Sequence, residues 1–410
     1  MSVVLGAESA PSDRVLKFTP YKIDAEAYRW MQASIGDGAA RDVGFVMRGG
    51  LRRQDYPFRA IQLSALADLK TVQLMPGLPP ARDLKGHVAV DNALVTFELD
   101  AASVGKLEVP SALVQVGRVG SVQLLETNAD VVASVPNAIE EIAAIPYVPD
   151  NVGTALRRLN TNGEMTAKFE LALPIKGAPR IPEITTRGVV SDAKFSYQGL
   201  PLTVTELSGD IVYQYPQGIS GGTLTGNFFD DNITLNLDPG AVDLGLSSVG
   251  FSLSSQANLS ASTLTGLANL KVPEPLMSGG ANFSVAFQAG DGVRLRVMSD
   301  LVGLESAMPA PFTKARDMPQ PLRFDLDMLD TPEAIVRYGN VLTAYGLLNS
   351  EGWSAIAEVG VDTQGSLAMA SALPVNTLEV NGRLTELDLA AWTGTIDRLN
   401  LPSTGGDLPI

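Results

Sequence analysis

The sequence lacks most of the residues on which enzyme and metal sites are built. It contains no cysteine and a single histidine, His87, in 410 residues. Disulfides, thiolate ligands and cysteine nucleophiles are therefore excluded, and imidazole chemistry has at most one participant. A metal site built mainly on nitrogen or sulfur ligands is not possible with this composition. We predict no metal site and no cofactor.

Charge and long apolar runs are also scarce. Charged residues make up 18% of the chain, and the formal net charge is −15. Nucleic acid is excluded as a partner, because phosphate binding needs a basic surface. No stretch approaches the roughly 18–20 consecutive apolar residues of a membrane-spanning helix. The segment from Met1 to Ala7 has no basic residue and is too short for a signal peptide, so we expect no targeting segment within the sequence.

The sequence is rich in strict alternation of apolar and polar residues. A side-chain period of two is typical of a strand with one apolar and one wet face. Turn formers such as Asp91-Asn92 and Gly339-Asn340 separate these runs, and no helix recurs between them as parallel βαβ units would require. The pattern predicts a mainly β protein with a meandering antiparallel sheet and a few short helices. The clearest apolar sets are Phe169, Leu171 and Leu173; Ile233, Leu235 and Leu237; Val293, Leu295 and Val297; and Leu322, Phe324 and Leu326.

Three segments have helical periodicity. These are Ile23–Ile35, Val135–Ile145 and Asp150–Asn160, and the last two are separated by Pro146 and Pro149. The pair predicts a helical elbow near the middle of the chain, with strands before and after it. Residues 331–345 begin like a helix at Thr331-Pro332, but Gly339-Asn340 splits them, so we predict a hairpin there.

The sequence contains few residues in patterns typical of catalytic or metal sites. Gly218-Ile-Ser220-Gly-Gly222 matches a nucleophile elbow, but no helix pattern follows it and His87 lies upstream, so we interpret it as a glycine-rich turn. Residues Asp230 and Asp231 lack the spaced ligands of a calcium loop, and we expect a solvated turn. We interpret His87 as a rim residue, and we predict no catalytic residue.

The alternating apolar faces leave two interpretations open. The strands can pack against one another as a sandwich or closed barrel with a dry core. Alternatively, the sheet is long, curved and open, and its apolar face lines a groove for lipid tails. Both architectures require the same alternation, so periodicity does not separate them.

Several segments resemble the YhdP-type branch of the AsmA-like superfamily. The segment from Leu301 to Lys314 is similar to a family element in which Leu-x-Gly-Leu leads into Leu-Pro-x-Pro and a Gly-Lys pair. Its matching positions here are Gly303, Pro309, Pro311 and Lys314, with Met308 and Thr313 as departures. Weaker similarities lie at Pro57-Phe58, at Leu74–Gly86, and at Gly382–Trp392, where the family has Gly-x-Leu, Leu-Asp and Trp.

The resemblance implies a bridge-like lipid transport protein of the cell envelope. Such a protein is anchored in the inner membrane, extends through the periplasm, and carries phospholipid between inner and outer membrane along an open apolar β-groove. The four alternating sets given above would line that groove. We expect an N-terminal β segment with one helix at residues 1–145, the elbow at 146–165, and a β-groove segment at 166–410.

The chain lacks the family's N-terminal membrane helix and is shorter than family members, so we expect an internal fragment whose contacts with both membranes are made by missing segments. Two alternatives remain. One is a non-enzymatic structural β-protein of the envelope with a closed core, and the other is a hydrolase that uses Ser220. The sequence does not indicate the lipid, the direction of transport or the oligomeric state.

Overall fold

The computed structural model describes residues 2–17, 29, 32–50, 60–73, 79–119, 122–146, 148–176, 181–200, 202–238, 242–246, 248–267, 276–329, 331–349, 352–360 and 367–399. They form 22 strands of one large, mostly antiparallel, open sheet, with short helices between some of the strands. The predicted mainly β fold is therefore confirmed. The chain divides into two compact units. Unit 1 comprises residues 1–149, 162–190 and 212–218, and unit 2 comprises residues 150–161, 191–211 and 219–410.

The first half of the chain is a meander of long strands. β1 to β7 pair each with the next, and β9 pairs with β7. The strands are β1 (Ser2–Pro11), β2 (Gly38–Arg48), β3 (Ala60–Val72), β4 (Ala81–Asp91), β5 (Leu94–Val104), β6 (Leu107–Val119), β7 (Val122–Ser134), β8 (Leu159–Thr161), β9 (Glu164–Lys176), β10 (Glu183–Tyr197) and β11 (Thr203–Gln214).

The second half continues the meander with shorter strands. These are β12 (Gly218–Phe228), β13 (Asp231–Asn236), β14 (Val249–Ser260), β15 (Met277–Gly290), β16 (Val293–Ser299), β17 (Leu304–Ser306), β18 (Leu322–Asp327), β19 (Glu333–Tyr338), β20 (Leu342–Asn349), β21 (Gly352–Gly360) and β22 (Thr377–Arg383). β17 pairs with the start of β15, so β16 pairs directly with β18. Every register that the described residues define is antiparallel except that of β21 with β22, which is parallel.

Local sequence explains where the strands reverse. Asn92 adopts a φ of 55° between β4 and β5, and Gly105 adopts a φ of 56° between β5 and β6. At Gly105 a side chain would also collide with the Glu141 carboxylate. Gly339 has a φ of 50° between β19 and β20, and Tyr338 pairs with Leu342. The predicted hairpin is therefore confirmed, because a glycine supplies the positive φ that the tight turn requires.

The helices are α1 (Ser12–Lys17), α2 (Val135–Ala144), α3 (Asp150–Arg157), α4 (Ala261–Leu267), α5 (Leu367–Ser371) and α6 (Leu389–Leu399). Ser134 caps α2 by accepting a hydrogen bond from the Asn137 amide, as favourable N-caps do. The predicted helices in the elbow are confirmed, with one correction at the end of the second.

That second helix, α3, ends at Arg157 rather than Asn160. The residues after it pair with β10 as strand β8, with Tyr197 opposite Leu159. Most of the predicted Ile23–Ile35 helix lies outside the described residues. Within it, residues 32–34 are helical and Ile35 forms a bridge with Val72. The three-part domain division stays a prediction.

Candidate functional site: the apolar sheet faces

In unit 1 the strand registers align apolar side chains into a continuous lateral row. Seven neighbouring strands contribute one residue each, namely Phe45, Leu63, Val90, Val95, Val116, Leu125 and Leu173. The five central members form one buried cluster, against which Phe45 and Leu173 pack. The predicted set Phe169, Leu171 and Leu173 lies in β9 on this same face, where its three members are half-buried.

Unit 2 has a longer row of the same kind. It crosses nine strands through Leu235, Ser255, Val285, Val297, Phe324, Val336, Ala344, Ala357 and Val380. We call this side of the strands the apolar face of unit 2. The predicted residues Val293, Leu295, Leu322 and Leu326 are on it, because each lies an even number of positions from a row member. Ile233 shares this side of β13, and Leu237 follows the strand by one residue.

Protein covers one end of the apolar face of unit 2. Ala155 of α3 is fully buried in a cluster with Tyr197, Phe251 and Phe287. Val293 (1% exposed) and Leu295 belong to the same cluster. The tyrosine ring meets both phenylalanines edge-on, at centroid distances of 6.5 and 5.4 Å. This end is therefore a closed core, and burial raises the pKa of the Tyr197 hydroxyl there.

The rest of the apolar face is less covered. From β18 to β21 its row members are half-buried, and at β22 Leu378 and Val380 are 53% and 60% exposed. In the two registers that continue from Phe324 and Leu326, the side chains on β19, β20 and β21 are small as well. Five of the six positions in these two registers are alanine or glycine: Ala334, Ala344, Gly346, Ala355 and Ala357. Larger residues such as Tyr338, Leu342 and Trp353 occupy the registers on either side. The larger Phe324 and Leu326 border this floor on β18, and Leu378 and Val380 border it on β22.

The opposite side of β20 and β21 is the covered one. Ile356, Ser354 and Glu358 are buried there, and helix α5, whose Ala370 is fully buried, contacts both strands. We call this side the polar face of unit 2. In this part of the sheet the covered side also carries large apolar residues, since Ile335, Tyr345 and Ile356 lie opposite one another in register. Burial of these side chains is what an ordinary sheet shows, and it leaves the floor of alanine and glycine on the other side half-exposed.

Farther along the polar face, arginines gather around one aspartate. Asp325 accepts hydrogen bonds from Arg296 Nε at 2.7 Å and from Arg323 Nη2 at 3.0 Å, and Arg337 Nη1 lies 3.7 Å from it. Burial alone would raise the pKa of the Asp325 carboxyl, but the hydrogen bonds and charges of Arg323 and Arg296 lower it overall. The alternation that predicted the apolar face gave no signal for this cluster.

The family-like segment between β16 and β18 is a packed loop rather than part of the apolar rows. Gly303, with a φ of 100°, and Lys314 lie where this loop folds back on itself, since Ser306 and Lys314 exchange backbone hydrogen bonds. The buried Lys314 ammonium donates to the Leu304 and Ala315 carbonyls at 2.8 and 3.0 Å. Its burial lowers the pKa of this amine, partly opposed by Asp300 and Asp317.

The two family-like segments contact each other. The Trp392 indole of α6 donates a hydrogen bond to the Ala310 carbonyl at 3.1 Å, between Pro309 and Pro311. Phe312 meets the Trp392 ring edge-on and stacks on Tyr338. The sequence did not reveal this contact, because 82 residues separate donor and acceptor.

The weak enzyme candidates have other roles. Ser220 lies within β12, so the expected glycine-rich turn is wrong at this position: the turn occupies residues 215–217, and no elbow into a helix follows. His87 shares a 2.7 Å hydrogen bond with Ser64 on the exposed side of β3 and β4. Asp231 is not a free turn residue either. It accepts hydrogen bonds from Ser260 and Thr263 at the start of α4, because β13 brings it beside that cap.

The described residues contain no group of three or more histidines or carboxylates placed to hold a metal ion. None of their helices has the length and apolarity needed to cross a membrane.

Neither the curated proteins nor the solved structures contain a significant match to this sequence. A family model described as "YhdP protein" matches residues 1–409, which is nearly the entire chain. The open sheet, its aligned apolar faces and this match lead to one conclusion: the chain belongs to the YhdP family.

Proposed function

We propose that this chain carries the acyl chains of phospholipids along the apolar faces of its sheet, between the inner and outer membrane. The observation that supports this most directly is the half-exposed apolar floor of β19 to β21. It is bordered by larger apolar side chains on β18 and β22, and helix α5 contacts β20 and β21.

Burial of an acyl chain on this face can provide enough free energy for binding without a polar contact. Burying one methylene contributes about 0.8 kcal/mol, so a tail of about sixteen carbons gains on the order of 10 kcal/mol before ordering costs. Alanine and glycine leave room above the strands for a chain of this kind. No catalytic group or cofactor is needed, because movement along the face requires only a continuous apolar strip.

We further propose that the chain works in the periplasm, within a protein anchored to the inner membrane. This rests on its membership of the YhdP family. The lining would comprise the residues on the open part of the face, including Val297, Phe324 and Leu326. The role of Val293 and Leu295 would be to hold the closed end against α3.

A structural protein of the envelope with a closed core is the second candidate. The cluster of Ala155, Tyr197, Phe251 and Phe287 favours it locally, because protein alone fills the apolar face at that end. This candidate requires the remainder of the face to be filled in the same way, and it predicts no bound lipid.

Two adjacent residues on β16 allow a matched test. Val297 lies on the apolar face, and Met298 points to the opposite side. A photo-crosslinking amino acid replaces each in turn, and the purified protein is irradiated in the presence of radiolabelled phospholipid. We expect labelling at position 297 and little at 298, together with phospholipid in an organic extract of the unmodified protein. Equal labelling at both positions, or an extract free of phospholipid, would contradict acyl-chain binding and favour the structural protein with a closed core.

A further inference from the structure

The polar face of unit 2 carries a concentration of positive charge that the transport role does not use. Arg296, Arg323 and Arg337 surround Asp325, and among the described residues it is the sole carboxylate paired with any of them. One carboxylate offsets one of three guanidinium charges, which leaves a local excess of two. This excess stands out on a chain whose formal net charge is −15.

The strand registers place two of these arginines next to each other. Arg323 and Arg337 are directly opposite each other on β18 and β19. Opposite residues in an antiparallel pair have Cβ atoms about 4.5–5.5 Å apart, and like charges at that separation are unfavourable. Both side chains are 44% exposed, so an ion from solvent can reach them. An anion between the two guanidinium groups would convert the repulsion into attraction.

The guanidinium N–H groups that make no hydrogen bond to Asp325 also favour binding of an anion. A guanidinium has five N–H groups in a rigid fork that suits the oxygens of phosphate. Arg323 uses Nε and Nη2 on Asp325, which leaves Nη1 available, and Arg337 makes an ion pair at 3.7 Å without a hydrogen bond. Asp325 thus holds the arginines in place without saturating them.

The surrounding acids do not neutralise this excess. Asp327 is engaged by Arg294 Nε at 2.7 Å, so that pair is balanced. Glu333 faces Asp327 across β18 and β19 and lies four residues from Arg337, about 13 Å along the strand. Glu358 lies two strands away from Arg337, beyond Thr343.

We propose that Arg323 and Arg337, positioned by Asp325 and supported by Arg296, form a binding site for a phosphate group. The chemistry is that of a tetrahedral oxyanion held by paired guanidinium forks, as in charge-assisted bidentate recognition. The group comes either from free phosphate or from a lipid headgroup at a membrane surface. This site lies on the side of the sheet opposite the apolar rows. The proposal of a phosphate site therefore does not depend on the proposal of acyl-chain binding.

Calorimetric titration of the full chain tests the site. Inorganic phosphate is titrated at an ionic strength held constant with sodium chloride, into the unmodified protein, into the R323Q/R337Q double variant and into R187Q. Arg187 is the matched control because it forms an exposed one-to-one pair with Glu170 in unit 1. We expect binding that is unchanged in R187Q and weakened about tenfold or more in the double variant, since hydrogen bonds to charged groups are lost.

A second arm separates the two sources of the phosphate group. Sedimentation with vesicles of phosphatidic acid is compared with sedimentation with vesicles of phosphatidylcholine, whose headgroup has no net charge. Arginine-dependent binding to the acidic vesicles assigns the site to a lipid headgroup, and phosphate binding alone assigns it to the free ion. Absence of both, or equal affinity in the unmodified protein and the double variant, overturns the proposal. A thermal unfolding midpoint of the double variant near that of the unmodified protein confirms that it is folded.

Discussion

Lys314 places an ammonium group among the least exposed side chains of the chain. Its two carbonyl acceptors, on Leu304 and Ala315, belong to the loop that the lysine itself helps to fold. A buried carbonyl that loses its donor costs about 1–3 kcal/mol, so the residue has a structural role in this loop. Lys314, one of the matching positions of the family-like segment, therefore stabilises the loop in which that segment lies.

Replacing Lys314 by methionine tests that role. The change keeps an unbranched side chain that is one atom shorter and removes the donors, so we expect unfolding at a temperature on the order of 5 °C lower. Thermal unfolding followed by circular dichroism measures the shift. Lys70→Met is the control, because Lys70 forms an exposed 3.9 Å pair with Asp83 and such pairs contribute little. Equal midpoints for K314M and K70M would contradict the assignment.

Asp231 links β13 to helix α4 through three hydrogen bonds to one carboxylate oxygen, from the Ser260 amide, the Ser260 hydroxyl and the Thr263 hydroxyl. Partial burial raises the pKa of this carboxyl, but the hydrogen bonds outweigh it and lower the pKa below its usual value of 3.8. A carboxyl with a depressed folded-state pKa stabilises the fold above the unfolded value, and this contribution disappears as the pH falls through the folded-state pKa.

We therefore expect Asp231→Asn to lower stability at pH 7 by about 1 kcal/mol, with the difference from the unmodified protein shrinking below about pH 4. Urea unfolding at a series of pH values measures this dependence. Asp230→Asn is the matched control, because the neighbouring Asp230 side chain is exposed. A D231N difference that persists unchanged to pH 2 would show that the charge is irrelevant.

At the scale of secondary-structure elements, helix α6 is attached through few contacts. Trp392 supplies the hydrogen bond to Ala310 and the edge contact with Phe312, whereas Leu389 on the same helix is 69% exposed. Asp388 caps the helix start by accepting from the Ala391 amide at 2.9 Å. The helix is thus locally well formed, and among the described side chains Trp392 supplies its hydrogen bond and its ring contact to the loop.

Trp392→Ala should release α6 without unfolding the sheet. We expect faster amide hydrogen exchange and earlier proteolytic cleavage around residues 385–399, and little change elsewhere, because local opening involves only the contacts that are lost. Hydrogen-exchange mass spectrometry measures both. Leu389→Ala, which removes an exposed side chain of the same helix, should leave exchange close to that of the unmodified protein. If L389A matches W392A, the tryptophan is not the attachment.

The sequence predicted elements well where local chemistry alone decides them. The alternation from Leu322 to Met328 predicted β18, and Gly339 predicted the hairpin that follows. The small floor escaped detection, because alanine and glycine on β20 weaken the apolar signal that marks a strand face. The cover supplied by α3 also escaped, since an apolar helical stripe does not indicate which distant strands it will pack against. Those contacts depend on tertiary packing, and the spacing of residues along the sequence does not predict them.

At the scale of the whole molecule, the structure combines a closed end and an open end within the apolar face of unit 2. Sequence periodicity left a closed core and an open groove as alternatives, and each describes a different part of this face. Val293 is buried beneath α3, whereas Ala357 on β21 is half-buried with small neighbours. Any lipid should therefore contact the face from Val297 and β18 to β22 in preference to β14, β15 and the Val293 end of β16.

The absence of native cysteine makes this contrast measurable with single substitutions. Val293→Cys should react slowly with a maleimide in the folded protein, and Ala357→Cys should react quickly, because thiol reactivity requires access as well as ionisation. An environment-sensitive fluorophore on Cys at 357 should then shift to shorter wavelength when a short-chain phospholipid is added below its micelle concentration. The same fluorophore on Cys at 298, on the polar face, should not shift. The open floor binds acyl chains only if the two positions differ, since a probe that responds equally on both faces reports adsorption rather than a site. Rapid labelling at Val293 would show that the end beneath α3 is open as well, and the lipid-contacting region would then extend across the entire apolar face of unit 2.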